Sequence, residues 1–213
     1  MYVEKYFTDE TKHEVEVVLK DIKEEFLDIL DTIDWMDEDT RRMSKAKIEA
    51  MKQHIGKASD KRKLKEMYYG LEISPQSYFK NFLNMKKFKA QKITSRLRNP
   101  ATNEEQLALQ ENSAEASAAY SYHHNLISLY AGILQDVFFD KDRPKYLNYG
   151  AIGTVIGHEL THAFDQQGRH FDKDGEFIIN LRQHESTKRF EEQAQCIVDQ
   201  YGQFSFSDSS GTV

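Results

Sequence analysis

The sequence of 213 residues lacks the features that mark several classes of protein. It holds a single cysteine, Cys196, so no disulfide can close within it. No apolar stretch approaches the 18 or more residues that a membrane-spanning helix requires. Asn-x-Ser/Thr sequons are absent, so glycosylation gives no indication of secretion. The first residues do not resemble a signal peptide, and we expect the segment from Met1 to Lys5 to begin inside a fold.

A strong charge of either sign is also lacking, since the net charge is −6. Residues 1–100 carry 21 basic and 18 acidic side chains, whereas residues 101–213 carry 8 and 17. Neither region is charged enough to indicate a nucleic-acid partner, and the basic residues from Lys86 to Arg98 fit a solvated helix face. The change in charge predicts a domain boundary near Asn99-Pro100.

Hydrophobic periodicity predicts helices over most of the chain. Thr8 and Asp37 are candidate N-caps, because apolar residues at helical spacing follow each of them. Ser74-Pro75 is typical of a helix start, and residues 180–199 have the pattern of a further helix. Residues 121–134 are the best candidate for a strand. The expected fold class is therefore mainly α with a small β element.

One segment carries recognisable chemistry, His158-Glu159-Leu160-Thr161-His162, which has the H-E-x-x-H pattern. Residues four apart lie one above the other on one face of a helix. Two imidazoles so arranged can bind one zinc ion at about 2.0–2.1 Å, and the neighbouring glutamate can take a proton from a water at the metal. We therefore predict zinc as the cofactor, His158 and His162 as its ligands, and Glu159 as the catalytic residue.

The surrounding sequence predicts one helix over residues 149–166, ended by Gly168. Gly150, Gly153 and Gly157 share a face of this helix, which indicates another backbone packed closely against it. A largely apolar helix of this kind should be buried, with its few polar groups directed at a site. The alternative interpretation is a pair of ordinary core histidines.

Residues on both sides of the H-E-x-x-H pattern resemble the zinc helix of the neprilysin family of metallopeptidases. The likeness rests on these segments: Leu147-Asn148-Tyr149-Gly150, Ala163-Phe164-Asp165-Gln166, Phe171-Asp172-Lys173-Asp174-Gly175, Ala131-Gly132-Ile133-Leu134-Gln135 and Asp34-Trp35-Met36-Asp37. It implies that residues 1–100 are the C-terminal part of a helical N-terminal domain. Residues 101–213 would be the N-terminal part of a thermolysin-like zinc peptidase domain.

By this resemblance the protein is a zinc-dependent metalloendopeptidase that hydrolyses oligopeptides, outside the cell or at its surface. Asp165 would be the carboxylate that orients a ligand histidine. Ser117 and Ala118 occupy the place of an Asn-Ala pair with which the family binds the substrate backbone. A serine hydroxyl offers fewer hydrogen-bonding groups than the carboxamide it replaces, so we expect Ser117 to hold the substrate backbone less well than the family's asparagine. The strand predicted at residues 121–134 would be an edge strand beside the zinc helix and would pair with an extended peptide.

Two departures from the family leave a second function open. The family's third zinc ligand comes from a Glu-Asn-x-Ala-Asp segment on a later helix, and no such segment follows the H-E-x-x-H pattern in this sequence. Glu185, Glu191 and Glu192 are downstream acids that could serve instead, although a solvated helix face is the better explanation for each of them. Cys196 precedes a Tyr-Gly-x-Phe run as a family cysteine does, so we expect its partner outside this sequence. The alternative is a truncated relative, without hydrolytic activity, that acts, if at all, as a binding or structural protein.

Overall fold

The structure, a computed structural model, describes residues 2–56, 61–95, 97, 114–179, 185–205, 207–208 and 211–212. Its helices are α1 (Tyr2–Tyr6), α2 (Asp9–Thr32), α3 (Glu38–Glu49), α4 (Lys61–Met67), α5 (Tyr78–Ser95), α6 (Lys145–Gly150), α7 (Ile152–His162) and α8 (Glu185–Tyr201). Its strands are β1 (Lys52–Gly56), β2 (Ala118–Ser121), β3 (Leu126–Tyr130), β4 (Ser207–Asp208) and β5 (Gly211–Thr212). The domain boundary predicted near residue 100 lies outside the described residues.

The predicted fold class, mainly α with a small β element, is confirmed. A three-stranded sheet has the order β1-β3-β2, in which β1 runs parallel and β2 antiparallel to the central β3. Strand β3 is buried along nearly its whole length, as its continuous apolar run requires. No helix in the described ranges combines the length and the apolar character needed to cross a bilayer.

The hydrophobic core lies between this sheet and the helices α2, α3 and α7. Helix α2 contacts α3, α7 and β1, and α7 contacts β2. The largest fully buried side chains include Leu19 of α2, Ile48 of α3, Leu129 of β3, and Ile156 and Leu160 of α7. Residues near the start of the chain therefore pack directly against the helix that carries the H-E-x-x-H pattern.

The two predicted N-caps of α2 and α3 are present in the structure. The Thr8 hydroxyl accepts a hydrogen bond from the Thr11 amide at 3.0 Å, and Asp37 Oδ1 accepts one from the Thr40 amide at 2.8 Å. The predicted start of α5 at Ser74-Pro75 is wrong, because α5 begins at Tyr78.

The strand predicted over residues 121–134 is also wrong in its extent, because this stretch contains the end of one strand and all of another. Strands β2 and β3 are joined by a 3₁₀ turn and by Asn125, which adopts the left-handed conformation with φ 44°. Asparagine tolerates this conformation better than most residues. The buried Asn125 side chain accepts a hydrogen bond from the Tyr120 hydroxyl at 2.8 Å and donates to the carbonyls of Lys47 and Lys173, both at 2.9 Å.

Helix α8, Glu185–Tyr201, covers most of the range 180–199 predicted as helical and ends two residues beyond it. Residues 180–184 lie outside the described residues. Its first turn is attached to the cap of α3. The Ser186 hydroxyl donates to Asp37 Oδ2 at 2.5 Å and accepts from the Asp37 amide at 2.8 Å. The hydrogen bond from Ser186 is the main reason that the pKa of Asp37 falls from 3.8 to about 2, with smaller contributions from Thr40 and against the effect of burial.

The depressed pKa of Asp37 predicts an acid-dependent loss of stability. Folding favours the ionised carboxylate, so its contribution is present above the ordinary value of 3.8 and is lost as the pH falls towards 2. The wild-type free energy of unfolding should therefore decrease more steeply than that of Asp37→Asn between about pH 5 and pH 2. Urea denaturation at a series of pH values measures this difference. Asp34→Asn, at an exposed aspartate of the same turn, is the matched control, and equal slopes for wild type and Asp37→Asn would contradict the assignment.

The central strand gives a second prediction. Leu129 is 0% exposed on β3, and its truncation to alanine leaves a cavity between the sheet and the helices. Leu129→Ala should lower the free energy of unfolding by about 2–5 kcal/mol. Leu97→Ala, at a leucine that is 80% exposed, should change it by less than about 0.5 kcal/mol. Chemical denaturation followed by circular dichroism tests both, and a cost at Leu129 as small as that at Leu97 would argue against the central position of β3.

Candidate metal centre

The helix predicted over residues 149–166 is two helices in the structure. Helix α6 ends at Gly150, α7 begins at Ile152, and Ala151 between them has φ −105° and ψ −87°. The Ile152 amide donates to the carbonyl of Phe138 at 3.0 Å instead of continuing the ladder of α6. Helix α7 then ends at His162, so the whole H-E-x-x-H segment occupies its last turns.

The predicted close packing along the three glycines is wrong. A Cβ atom added at Gly150 or Gly157 would meet nothing within 4 Å. One added at Gly153 would make a single contact shorter than 3.4 Å, with the Ile22 side chain at 3.3 Å. The tight approach is at Gly168, where an added Cβ would lie 1.8 Å from the carbonyl oxygen of His162. The chain after α7 therefore turns back onto the end of that helix.

The two histidines of α7 face each other. Their Nε2 atoms are 3.1 Å apart, and their ring centroids are 4.6 Å apart with the planes nearly perpendicular at 84°. Together with Glu159 they offer ligand atoms that all lie within 4.8 Å of one another. His158 is exposed, His162 is partly buried and Glu159 is buried. Imidazole nitrogen and carboxylate oxygen are donors that zinc accepts, so these side chains fit the metal predicted from the sequence.

Glu159 occupies the least accessible position of the three, at 7% exposure. Burial raises the pKa of its carboxyl group. The neighbouring His162 and His158 and a hydrogen bond from the Tyr120 amide act in the opposite direction. A carboxyl group with a raised pKa is better matched to accept and return a proton near neutral pH.

Asp165 connects the end of α7 to the turn that follows it. Its Oδ2 lies 2.7 Å from His162 Nδ1, and its Oδ1 accepts from the amides of Gln167 at 2.8 Å and Gly168 at 2.7 Å. Burial raises the pKa of Asp165, but the hydrogen bonds from Gly168, His162 and Gln167 outweigh burial and hold it below its ordinary value. An ionised Asp165 accepts a hydrogen bond from Nδ1–H of His162, which leaves the lone pair of Nε2 directed at His158.

Strand β2 brings the predicted substrate-binding residues beside this helix. It is one of the two outer strands of the three-stranded sheet and contacts α7, so the edge beside the helix is β2 rather than residues 121–134 as a whole. Ala118 is its first residue, and the Ser117 hydroxyl donates to the Ala118 carbonyl at 3.2 Å. The Ser117 carbonyl accepts a hydrogen bond from the Tyr130 amide at 3.2 Å.

The downstream acids considered as further ligands do not join the group. Within the described ranges, the cluster of potential metal ligands contains only the three residues of α7. Glu191 is 3.2 Å from the guanidinium of Arg169, and Glu185 is 3.6 Å from that of Arg189. Glu192 is exposed on α8.

Sequence reasoning missed Tyr122, whose side chain lies near the centre. Its ring stacks on Phe171 with centroids 5.7 Å apart. Burial raises the pKa of Tyr122, and the nearby Asp165 and Glu159 raise it further. An aromatic residue in a predicted strand carries no signal for such a position, because Tyr122 lies in the 3₁₀ turn that follows β2 and not in a strand.

Comparisons with known proteins agree with this geometry. Two sequence profiles, both described as peptidase family M13, match residues 117–212 and residues 1–58. Neprilysin of Homo sapiens is 39% identical over 215 aligned residues, which cover 99% of this chain and 28% of that protein. Neprilysin-2 of Drosophila melanogaster is 41% identical over 210 residues, covering 96% and 26%. The chain therefore spans less than a third of the length of these relatives.

A solved structure has the same arrangement of elements. The Mycobacterium tuberculosis zinc metalloprotease ZMP1, in complex with an inhibitor, superposes with a TM-score of 0.79 and 26% sequence identity. The match covers 95% of this chain and 29% of the chain of that enzyme.

Proposed function

This chain belongs to peptidase family M13, and on that basis we propose that it forms the metal-binding part of a zinc metalloendopeptidase that hydrolyses oligopeptides. The observation that carries the proposal is the pair of Nε2 atoms 3.1 Å apart at the end of α7, with the buried Glu159 beside them. Two core histidines would be expected to have their ring nitrogens bonded to separate partners. Here the Nε2 atoms of the two rings face each other instead.

In the proposed mechanism His158 and His162 hold zinc through Nε2. When bound, zinc supplies a Lewis acid that polarises the scissile carbonyl and lowers the pKa of a water molecule. Glu159 accepts the proton from the attacking water and then gives it to the nitrogen of the leaving amine. Asp165 accepts a hydrogen bond from Nδ1–H of His162 and keeps the ring in the tautomer that would bind the metal through Nε2.

The substrate would be an extended peptide that pairs with the outer edge of β2. Main-chain hydrogen bonds supply affinity in this mode of binding, and the resemblance to the family places Ser117 and Ala118, at the start of the strand, beside the substrate backbone. We also propose an extracellular or cell-surface location, which rests on the resemblance to the family. The division into a helical part at residues 1–100 and a catalytic part at residues 101–213 stays a prediction.

A binding or structural role without hydrolysis is the second candidate. A catalytic zinc has three protein ligands and one open position. The described residues supply two histidines, and Glu159 is needed as the base. Metal analysis separates the two candidates, because an enzyme should hold zinc stoichiometrically and turn over peptide, whereas a binding protein should hold it loosely and show no turnover.

The role of Glu159 is tested by Glu159→Gln. The substitution removes the proton acceptor but keeps the size of the side chain, so hydrolysis of a fluorogenic oligopeptide should fall by about 10²–10⁴-fold while the zinc content stays unchanged. The matched control is Glu192→Gln, at an exposed glutamate of α8, which should leave turnover as in the wild type. Unchanged turnover in Glu159→Gln would reject Glu159 as the base.

The role of Asp165 is tested by Asp165→Asn. The neutral amide is a weaker acceptor than the carboxylate for the hydrogen bond from Nδ1–H, so the zinc dissociation constant should rise by about 10–100-fold. Competition with a chromophoric chelator at neutral pH measures this change. Asp174→Asn, at an exposed aspartate that pairs with Lys173 at 2.7 Å, is the control. Equal zinc affinities for the two variants would mean that Asp165 does not orient His162.

A further inference from the structure

One buried lysine lies close to the metal centre without taking part in the mechanism described above. Lys47, on α3, is 4% exposed. Its Nζ donates hydrogen bonds to the backbone carbonyls of Ala163 at 2.9 Å, Gly168 at 2.7 Å and Phe171 at 2.5 Å. These carbonyls belong to the segment that follows α7, more than a hundred residues away in the sequence.

The three acceptors require the charged form of the side chain. An ammonium group has three N–H donors, whereas a neutral amine has two. Burial lowers the pKa of Lys47 to about 8, while the nearby Asp172 and Asp165 act in the opposite direction. The ammonium therefore predominates at neutral pH, and each of its protons has a carbonyl partner.

The positions of the three carbonyls are informative. Ala163 is the C-cap of α7, where helix carbonyls lack intrahelical partners and a cation is favourable. Gly168 and Phe171 lie on the chain that returns towards the sheet. The ammonium thus joins both limbs of one turn, residues 163–171, and Asp165 lies within that turn.

The backbone of Lys47 is held in the same region by a second contact. The buried Asn125 side chain donates to the Lys47 carbonyl and to the Lys173 carbonyl, both at 2.9 Å. Helix α3, the β2–β3 connection and the segment after α7 therefore meet around one lysine. A displacement of the turn would have to break its hydrogen bonds to Lys47, and Asn125 holds the chain at Lys173, just beyond the turn.

We infer that Lys47 is a positioning residue of the metal centre, which holds the turn 163–171 closed so that Asp165 keeps His162 directed at the metal. This inference rests on the proposed function as far as zinc is concerned. Its structural step does not, because the hydrogen bonds from Gln167 and Gly168 to Asp165 Oδ1 are made by protein groups alone and can be followed with or without zinc. The two steps can therefore be measured separately.

The test is Lys47→Met in the full 213-residue chain, which keeps the aliphatic stem and removes the ammonium. In the metal-free protein, amide hydrogen exchange of Gln167 and Gly168 should become about tenfold faster, because the turn opens more often. The zinc dissociation constant, measured by chelator competition, should rise about tenfold. Lys47→Gln, whose amide offers two N–H groups, should change both quantities in the same direction but less.

Two controls separate positioning from general stability. Lys23→Met removes another lysine that donates to a backbone carbonyl, that of Met51 at 3.2 Å, far from the turn in sequence. Ile48→Val destabilises the core next to Lys47 without touching the three carbonyls. Both should leave exchange at Gln167 and Gly168, and the zinc dissociation constant, within about twofold of the wild type after correction for global stability.

Each other outcome has a defined meaning. Unchanged exchange in Lys47→Met, or faster exchange with unchanged zinc affinity, would overturn the positioning role. Failure of both Lys47 variants to fold would also overturn it, because Lys47 would then be a residue of the fold as a whole. A wild-type chain that binds no zinc would reject the proposed function, and the exchange comparison would still decide whether Lys47 holds the turn.

Discussion

The hydrogen bond between Asp165 and His162 is the interaction on which the metal centre depends. Helix geometry places two imidazoles one turn apart, but it does not decide which ring nitrogen faces the neighbouring histidine. The Asp165 carboxylate, 2.7 Å from Nδ1 of His162, makes that choice. The carboxylate is itself fixed by two backbone amides of its own turn. The orientation of one proposed metal ligand, His162, is therefore set by a turn that lies outside the helix.

This turn and helix α7 depend on contacts between distant parts of the chain. Strand β1 comes from residues 52–56 and pairs in parallel with β3 of residues 126–130. Parallel pairing cannot be made by a local hairpin, so the sheet forms only when the two parts of the chain meet. Helices α2 and α3 then pack on the same core as α7. Residues that precede the H-E-x-x-H segment by a hundred positions or more thus determine its surroundings.

What the sequence could predict is what depends on neighbours within one helical turn. The facing of His158 and His162, the caps at Thr8 and Asp37 and the approach of Asp165 to His162 are all relations between residues three or four apart, and they are present in the structure. The break at Ala151 could not be read in this way, because it depends on a carbonyl thirteen residues away in sequence at Phe138. The position of Lys47 depends on partners still farther away, and periodicity alone would place a lysine of α3 in solvent.

Glu159, the proposed base, is hydrogen-bonded to strand β2, the proposed site of peptide binding. Burial of its carboxyl group favours the neutral acid, whereas the two histidines and the Tyr120 amide favour the anion. A proton acceptor that must also return its proton requires such a balance, since a carboxylate with an ordinary pKa would give up the proton too readily. The Tyr120 amide belongs to β2, the same strand whose outer edge is proposed to pair with the peptide. The strand proposed to bind the peptide therefore also supplies one of the hydrogen bonds that lower the pKa of Glu159 against the effect of burial.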